Sequence, residues 1–526
     1  MQASAHIART AALALLLALF PLMIFSRLRL RETPLERDEG EYAYAGQLIL
    51  QGIPPYSLAC NMKLPGTYAA YAAIMAVFGQ TIGGIRLGLL LMNAATVLLM
   101  YLLGRRLFSK VAGLAAAAAY ALLSFGLAVM GTAAHATHFV VFPMLAGLLL
   151  LLRAIESGRA VTLFSSGLLF GIAYLMKQHG VFFMIFGAAW LVWRHAGGWK
   201  QTVRQLAIFG VAAALPFALT CLILWMAGVF PKFWFWTFQY ARAYASENTI
   251  ADGVGNLKDE LPSLVHGNAA LWALAGVGLA AAWWTRESRP AAIFLTGLVV
   301  FSAMAVSPGL YFREHYFVLM LPAVALAAGV VAGLGDSHGR SWRGWGVWLF
   351  AAVLMFCVVS QRNYLFRETP FAVSRELYSL NPFPEAIKVS EYIRRNSAPD
   401  ARIAVLGSEP EIYFYSHRHS ATGYIYTFAL SEDQPFAQRM RDEMIQEVRT
   451  AQPEYVVLID SLSLWAERSE GKPTVFSWWG GYGPGHYDIV GMADIVSENR
   501  TEYRWGAAAA RYKPETDFIV AVYKKK

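Results

Sequence analysis

The stretch ERDEGEYAYAGQLILQGIPPYSLACNMKLPGTYAAY, from Glu36 to Tyr71, lies between the first apolar block of the chain and all the later ones. It begins with an acidic cluster that includes Asp38 and Glu39, and a helix is predicted to run from this cluster to Gln51. A Gly-Ile-Pro-Pro run then ends the helix, because glycine and proline interrupt helical backbone. Lys63 follows 25 residues after Asp38. One polar loop therefore carries both a cluster of carboxylates and a cation.

The composition places this loop in a membrane protein. Of 526 residues, 57% are hydrophobic and only 15% are charged, whereas soluble domains carry roughly 25% charged residues. The hydrophobic residues come in long blocks, and a membrane-spanning helix needs about 20 such residues. Together with a count of only three cysteines, this composition excludes a soluble enzyme, a disordered chain and a disulfide scaffold. It predicts a multi-spanning helical membrane protein.

About eleven apolar blocks are predicted to span the membrane. They lie near residues 11–25, 84–104, 111–130, 138–152, 163–176, 180–193, 205–229, 269–284, 291–307, 315–334 and 345–360. The first block is interpreted as an uncleaved signal anchor, since arginines rather than a cleavage site follow it. Every second connection is basic, as cytoplasmic loops are. The N-terminus is therefore predicted to be cytoplasmic, and the loop at 31–83 to lie on the outer side.

The net charge of +9 is distributed unevenly along the chain. Residues 361–526 contain 20 basic and 22 acidic residues, so that residues 1–360 hold 24 of the 44 basic and 13 of the 35 acidic residues. Membrane topology explains this excess better than an acidic partner does. We therefore expect membrane lipids as neighbours of the chain and no binding of nucleic acid.

The composition changes at Gln361, where we place a boundary between two domains. Residues 1–360 are predicted to form a polytopic membrane domain, and residues 361–526 a small α/β domain outside the membrane. A helix-like stretch at 385–396 and strand-like runs at 402–406, 455–459 and 518–522 predict the α/β class. The segment SWWGGYGPGH at 477–486 has no regular period and is predicted to be a loop.

Asp38 and Lys63 each have two interpretations. Asp38, with Glu41 three residues later, resembles a capping box that would stabilise a helix by about 1 kcal/mol and do nothing else. Lys63 at a membrane surface is most commonly a lysine that reaches towards lipid headgroups. A functional interpretation of the pair gains weight because a carboxylate and a cation on one outer loop suit a reaction between a hydroxyl and a phosphate-bearing lipid.

Several motifs along the membrane portion resemble one known group of enzymes. They are Asp38-Glu39 followed by Tyr42-Ala43, Lys63-Leu64-Pro65, Arg86-Leu87 opening a block that ends GRRLF at 104–108, GLLFGIAYLMK at 167–177, and Arg313-Glu314-His315-Tyr316. In this order they resemble the GT-C glycosyltransferases. The resemblance is strongest to the group of protein O-mannosyltransferases, the lipid A aminoarabinose transferase and lipopolysaccharide galacturonosyltransferases.

This resemblance implies a transferase that uses a polyprenyl-phosphate sugar donor on the outer face of a bacterial inner membrane. Asp38 would be the general base towards an acceptor hydroxyl and would give inversion at the sugar, with Glu39 orienting the loop or the acceptor. Lys63 and Arg313 would hold the donor phosphate, and Lys177, His315 and Tyr316 are further candidates for substrate binding. The acceptor would be a cell-surface glycan, a lipid or a protein.

The second outer loop, GTAAHATH at 131–138, has no carboxylate where many relatives have an acidic residue. His135 and His138 are three residues apart and would share a helix face, from which they could bind a metal or a phosphate. Polar packing at the membrane interface is the commoner role of such a pair. We keep both histidines as substrate-binding candidates and expect no metal cofactor, because two or three fixed cations could replace a metal at the donor phosphate.

Two other functions remain open from the sequence. A transporter or flippase for lipid-linked sugars would normally carry ionisable residues at mid-membrane and inverted repeats, but here the candidate charges lie at the outer surface and no repeat is visible. A non-catalytic assembly subunit of the cell envelope would be indifferent to changes at Asp38 and Lys63.

Overall fold

The computed structural model describes residues 2–194, 198–284, 286–334, 345–432, 434–461 and 474–526. Up to residue 360 the regular elements are helical: α1 (Gln2–Arg29), α2 (Arg37–Leu50), α3 (Gly66–Phe78), α4 (Ile82–Leu107), α5 (Lys110–Leu123), α6 (Ala136–Ser157), α7 (Ala160–Met176), α8 (Val181–Trp193), α9 (Trp199–Met226), α10 (Phe230–Trp234), α11 (Ala241–Ala245), α12 (Ile250–Val265), α13 (Ala269–Ala282), α14 (Arg289–Val306), α15 (Leu321–Gly333) and α16 (Trp345–Ser360). A π-helix, Phe235–Tyr240, joins α10 to α11.

The helices confirm that the hydrophobic portion is an all-α, multi-pass membrane protein. Within the part of the chain that the structure describes, five helices are long and apolar enough to cross a membrane: Thr10–Arg29 of α1, α4, α6, α9 and α14. Helices α12 and α13, which meet at a bend of 103°, would form a sixth span if they act together. Other apolar helices, such as α5 and α7, are shorter. Eleven spans therefore stay a prediction.

Close packing of small residues joins the membrane helices α7 and α9. Gly167 and Gly171 lie one helical turn apart on α7, against the backbone carbonyls of Phe209 and Ala213 on α9. A Cβ atom at either glycine would overlap the facing carbonyl oxygen. Such glycine pairs let membrane helices approach closely where hydrophobic burial gives no net attraction between them. This contact fixes the position of Lys177, which caps the C-terminal end of α7.

After residue 360 the chain forms an α/β unit. Its elements are α17 (Arg362–Phe366), α18 (Pro370–Tyr378), α19 (Phe383–Asn396), β1 (Arg402–Leu406), α20 (Glu411–Ser416), β2 (His419–Ser420), α21 (Phe428–Ser431), α22 (Ala437–Ala451), β3 (Tyr455–Ser461), α23 (Val475–His486), β4 (Tyr487–Ser497), β5 (Arg500–Trp505), α24 (Ala507–Arg511) and β6 (Phe518–Lys525). The predicted helix at 385–396 and the three predicted strands are all present.

These strands form a mixed six-stranded sheet in the order β2-β1-β3-β6-β4-β5. Strand β1 pairs in parallel with β2 and β3, whereas β6 runs antiparallel to β3 and β4. In the pairing of β3 with β6, Val457 lies opposite Val522, and both side chains are fully buried. The sheet and its helices confirm the predicted small α/β class of this region.

The predicted loop at 477–486 is wrong, because this segment lies in the helix α23. A capping box between Thr474 and Ser477 opens the helix and satisfies free backbone N–H groups of its first turn. One turn later, the rings of Trp478 and Tyr482 stack with centroids 4.9 Å apart. The cap and the i, i+4 aromatic pair therefore outweigh the poor helix propensity of four glycines.

Candidate active site

Helix α2 opens the candidate site, and its N-cap is Glu36. The Glu36 carboxylate accepts a hydrogen bond of 2.9 Å from the backbone N–H of Glu39. Asp38 is already inside the first turn, so its interpretation as the capping residue is wrong. Glu36 is buried, and burial together with the neighbouring Asp38 and Glu39 raises its pKa to about 8. Glu36 serves as the cap, while the Asp38 side chain is free to turn towards Lys63.

Lys63 joins two carboxylates of α2. Its ammonium donates to Asp38 Oδ1 at 2.7 Å and to Glu41 Oε2 at 2.8 Å. Glu41 is fully buried, and it also accepts hydrogen bonds from Asn61 at 2.7 Å and from the hydroxyl of Tyr68. The structure therefore brings the predicted pair together and supplies a second carboxylate that keeps Lys63 charged.

Two opposing effects set the pKa of the Asp38 carboxyl. Burial raises the pKa of its carboxyl, but the ammonium of Lys63 outweighs burial and holds the pKa well below its usual range. The Asp38 side chain keeps 24% of its surface accessible and the Lys63 side chain 20%. Asp38 is thus an ionised carboxylate that a molecule in the neighbouring cavity can reach.

That cavity has a volume of about 1010 Å³ and collects the helix ends on one side of the membrane portion. Helix α6 begins at it with His135, and α7 ends at it with Lys177. Its lining includes most of the predicted site residues, namely Asp38, Lys63, His135, Lys177, Arg313, His315 and Tyr316. The tail, which is residues 361–526, also contributes to the lining, and its apolar side chains there include Phe428, Ile459, Ile495, Phe518 and Ile519.

Two further cations face this cavity. The Lys177 ammonium lies over the ring of Tyr316, 3.9 Å from its centroid, and contacts no carboxylate in the part of the chain that the structure describes. Burial and the positive charges of Lys63 and Arg313 lower the pKa of Lys177 to about 7. Arg313 donates to the hydroxyl of Tyr244 at 3.3 Å. The cavity therefore holds cations that an anionic ligand would stabilise.

Two histidines stack beside Asp38. The rings of His135 and His315 are nearly parallel, with centroids 4.3 Å apart. His315 Nε2 lies 4.0 Å from Asp38 Oδ2, and His135 Nδ1 lies 3.7 Å from a carboxylate oxygen of Glu36. Burial lowers the pKa of His135 to about 4 and that of His315 well below its usual value. Both rings are therefore neutral near pH 7.

Asp38, His135 and His315 could together hold a divalent cation. One possible ligand atom from each lies within 4.8 Å of the others, and neither ring nitrogen of His135 has a hydrogen-bond partner among the residues that are described. Neutral imidazoles and a carboxylate form a common ligand set. The Asp38 oxygen that faces Lys63 is already occupied, however, and three cations line the same cavity.

Glu39 and His138 lie away from the cavity. Glu39 is fully buried and forms a two-pronged ion pair with Arg86 of α4, in which its Oε2 accepts a bond of 2.8 Å. Its Oε1 accepts from the backbone N–H of Ala134 at 2.6 Å. These contacts tie α2 to the loop at 131–138 and suit a role in orienting the first loop. His138 is buried on α6, and it does not belong to the cavity lining.

Sequence reasoning missed four residues that face or support the site. Glu36 and Glu41 belong to the quoted acidic cluster. Nothing in their spacing indicates that Glu36 caps α2 while Glu41 binds Lys63. Tyr378 and Tyr426 also line the cavity. They come from beyond residue 361, where no local pattern connects them to the first loop. Only the folded structure brings the tail onto the acidic end of α2.

Comparison with known proteins gives both a family model and curated relatives. The family of dolichyl-phosphate-mannose-protein mannosyltransferases matches residues 63–225. An undecaprenyl phosphate-alpha-4-amino-4-deoxy-L-arabinose arabinosyl transferase of Pseudomonas savastanoi is 26% identical over 324 residues, which cover 58% of this chain and 59% of the relative. The corresponding protein of Pseudomonas aeruginosa is 31% identical over 229 residues, which cover 40% of each chain. The chain thus spans about half the length of the curated relatives it matches.

Solved structures give more complete coverage. The aminoarabinose transferase ArnT from Cupriavidus metallidurans, bound to undecaprenyl phosphate, superposes with a TM-score of 0.60 and 17% identity, covering 98% of both chains. The archaeal oligosaccharyltransferase AglB from Archaeoglobus fulgidus, in complex with an inhibitory peptide and a dolichol-phosphate, has a TM-score of 0.55 and 11% identity. That match covers 94% of this chain and 74% of AglB.

The fold is therefore that of the GT-C membrane glycosyltransferases, as the sequence motifs predicted. Within that class the chain resembles the lipid A aminoarabinose transferase in both its sequence matches and its full-length fold.

Proposed function

We propose that this protein is an integral-membrane glycosyltransferase. It would move a sugar from a polyprenyl-phosphate donor to a hydroxyl of a cell-surface glycan, lipid or protein. The GT-C fold, the matched mannosyltransferase region and the relatives that carry undecaprenyl phosphate in their names support this class of reaction. The observation that carries the proposal is the Asp38 carboxylate, which lies at the cavity wall with Lys63, Lys177 and Arg313 around the same space.

In this mechanism Asp38 is the general base. The acceptor oxygen attacks the anomeric carbon of the sugar as its proton passes to Asp38, and the bond from that carbon to the phosphate oxygen breaks. The phosphate leaves with the electron pair of that bond. The sugar is therefore transferred in a single displacement that inverts the configuration at its anomeric carbon. A positioned base contributes roughly 10²- to 10⁴-fold to such a rate.

The cations supply the second part of the catalysis. Lys63, Lys177 and Arg313 would hold the donor phosphate and stabilise the charge that grows on it as the bond breaks. An ammonium about 4 Å from a phosphate charge near a protein surface contributes on the order of 4 kcal/mol before desolvation. Because these three cations can neutralise the leaving group, the proposed reaction requires no metal. A cation bound by Asp38 and the two histidines would occupy the base instead.

The other predicted residues have supporting roles in this proposal. Tyr316 holds the Lys177 ammonium over its ring. The neutral rings of His315 and His135 lie beside Asp38 and would line the space in which the acceptor hydroxyl approaches it. Glu39 orients the loop through Arg86. His138 is the weakest of the predicted substrate contacts, because it is buried outside the cavity lining.

The proposal includes the sidedness of the molecule. The basic connections between helices support a cytoplasmic N-terminus in a bacterial inner membrane. Residues 1–360 would then form the catalytic membrane domain, with its outer loop at 31–83, and residues 361–526 a periplasmic domain.

Replacement of Asp38 tests the proposed function. Cells that lack the protein are complemented with wild-type protein, Asp38→Asn or Asp488→Asn, and their surface glycans and lipids are compared by mass spectrometry. Asp488 is a matched control, since its side chain is 70% exposed on the tail. We expect a sugar-modified species with wild type and with Asp488→Asn, and a loss of at least about 100-fold with Asp38→Asn at equal protein level. Full modification by Asp38→Asn would contradict the proposal.

A further inference from the structure

The tail reaches into the candidate site through Tyr426. Its hydroxyl donates to the backbone carbonyl of Arg37 at 3.0 Å and lies 3.4 Å from Asp38 Oδ1. The Lys63 ammonium lies 5.6 Å from the centroid of the Tyr426 ring. A single side chain of the tail therefore touches both members of the Asp38–Lys63 pair.

Contacts around Tyr426 fix its position. Arg37 donates to the carbonyl of Ser408 at 2.7 Å and forms an ion pair of 3.2 Å with Glu409. Further along the first loop, the backbone N–H of Cys60 donates to the carbonyl of Gly423 at 2.8 Å. These bonds hold the segment of the tail that leads to Tyr426 against the first loop. The placement of its hydroxyl is therefore set by the docking of the tail as a whole.

Lys63 has more than one task in the proposed reaction. In the structure its ammonium donates to Asp38 and to Glu41. When Lys63 turns to a donor phosphate, Oδ1 of Asp38 loses its nearest partner. A small rotation of the Tyr426 hydroxyl, from the Arg37 carbonyl to Oδ1, would replace that partner. The other oxygen, Oδ2, which lies 4.0 Å from His315, would then be the one that accepts the proton of the acceptor.

We propose that Tyr426 is a positioning residue, which the tail supplies to hold Oδ1 of Asp38 when Lys63 engages the donor phosphate. This inference rests on the proposed role of Asp38 as the base. It makes the region after residue 361 a working part of the catalytic site, in addition to any contact it makes with the acceptor. Burial and the nearby acids Glu41 and Asp38 raise the pKa of Tyr426 well above its usual value, so its hydroxyl keeps its proton and can donate.

The test compares Tyr426→Phe with Tyr424→Phe. Tyr424 is a matched control in the same segment, since its hydroxyl donates to Glu443 and not to the site. Right-side-out membrane vesicles carry their own donor and acceptor, and product formation is followed by mass spectrometry between about pH 4.5 and pH 8. We expect Tyr426→Phe to slow product formation about tenfold near neutral pH, because a hydrogen bond to a charged group is lost, while Tyr424→Phe behaves as wild type.

The pH profile separates positioning from a structural role. Loss of a donor to the ionised carboxylate moves the acid limb of the rate profile to higher pH. The other titratable or charged groups around Asp38 are unchanged in this variant: Glu36, Glu41, Tyr42, Lys63, His135, Lys177, Arg313, His315, Tyr316 and Tyr378. A merely structural role would lower the rate equally at every pH, in proportion to the protein level, and would overturn the inference.

The outcomes also separate this inference from the proposed function. If Asp38→Asn keeps full activity, the assignment of the base fails, whatever Tyr426→Phe does. If Asp38→Asn is inactive and Tyr426→Phe has the rate and pH profile of wild type, only the role of Tyr426 is wrong.

Discussion

At the scale of single residues, the ion pair between Asp38 and Lys63 limits both of its members. While they are paired, Asp38 is a weaker base and Lys63 is less available to a phosphate. Lys63 keeps Asp38 ionised, and an ionised carboxylate of low pKa is a poor proton acceptor. A donor phosphate would compete for the Lys63 ammonium, and the pKa of Asp38 would rise as that ammonium turns away. The pairing of Lys63 with the buried Glu41 means that Lys63 remains charged throughout. Asp38 would therefore be strengthened as a base only after the donor has arrived.

Replacement of Lys63 by methionine should affect both functions of this residue. Without the ammonium, the burial of Asp38 is no longer outweighed by its largest opposing charge. Its pKa rises, and the acid limb of the rate profile shifts to higher pH. Undecaprenyl phosphate, used as the probe of the phosphate site, should bind about tenfold more weakly, since a charge-assisted contact is lost. The rise in melting temperature on adding this lipid measures the binding.

The matched control for this change is Lys232→Met, because Lys232 is an exposed lysine of α10 outside the cavity lining. The Lys232→Met variant should bind undecaprenyl phosphate as wild type does, and the pH profile of its rate should match that of wild type. Equal binding of undecaprenyl phosphate by Lys63→Met and by Lys232→Met would remove Lys63 from the phosphate site. If the acid limb of the Lys63→Met rate profile stays at its wild-type pH, Lys63 does not control the pKa of Asp38.

At the scale of elements, the sequence predicts what depends on local pattern. Each predicted apolar block contains a helix, and the helix from the acidic cluster ends within one residue of the expected position. The start of α2 was predicted less well, because Asp38 is a preferred type of capping residue, whereas the structure uses the less favoured Glu36. Helix α23 was missed because its capping box and aromatic stack outweigh its glycines. Tyr426 could not be predicted at all, since its contact with Asp38 joins residues 388 positions apart.

The contact between α7 and α9 gives a prediction at this scale. Gly171→Leu would force the two helices apart, because the side chain has no space against the carbonyl of Ala213. Overpacking of this kind costs about 1–3 kcal/mol, and it would also move Lys177 at the end of α7 away from the cavity. We expect a lower melting temperature in detergent and a lower rate at equal protein level.

Gly210→Leu is the control for that substitution. Gly210 lies on α9 as well, but a Cβ atom there meets no other atom within 4 Å. The same added side chain should therefore leave the melting temperature and the rate near their wild-type values. If both variants behave alike, the close approach of α7 to α9 contributes nothing to the site.

At the scale of the whole molecule, charge and geometry divide the membrane portion into two sides. The cavity collects the start of α6 and the end of α7, where His135 and Lys177 lie. Their opposite ends carry Arg153, near the end of α6, and Arg159, directly before α7, which are two of the 24 basic residues of this portion. Because a helix that starts on one side ends on the other, the cavity faces away from this basic connection between α6 and α7. The distribution of basic residues and the position of Asp38 therefore predict the same orientation of the protein in the membrane.

Labelling of single cysteines tests that sidedness. Arg159→Cys places a thiol in a basic connection and Asp488→Cys places one on the tail, and both positions are exposed. The natural thiols give little background, since Cys60 and Cys357 are buried and Cys221 is half-buried. With a membrane-impermeant maleimide on intact spheroplasts, we expect Asp488→Cys to react, and Arg159→Cys to react only after lysis. The reverse pattern would place Asp38 and its cavity on the cytoplasmic side, where a donor displayed on the outer face could not reach them.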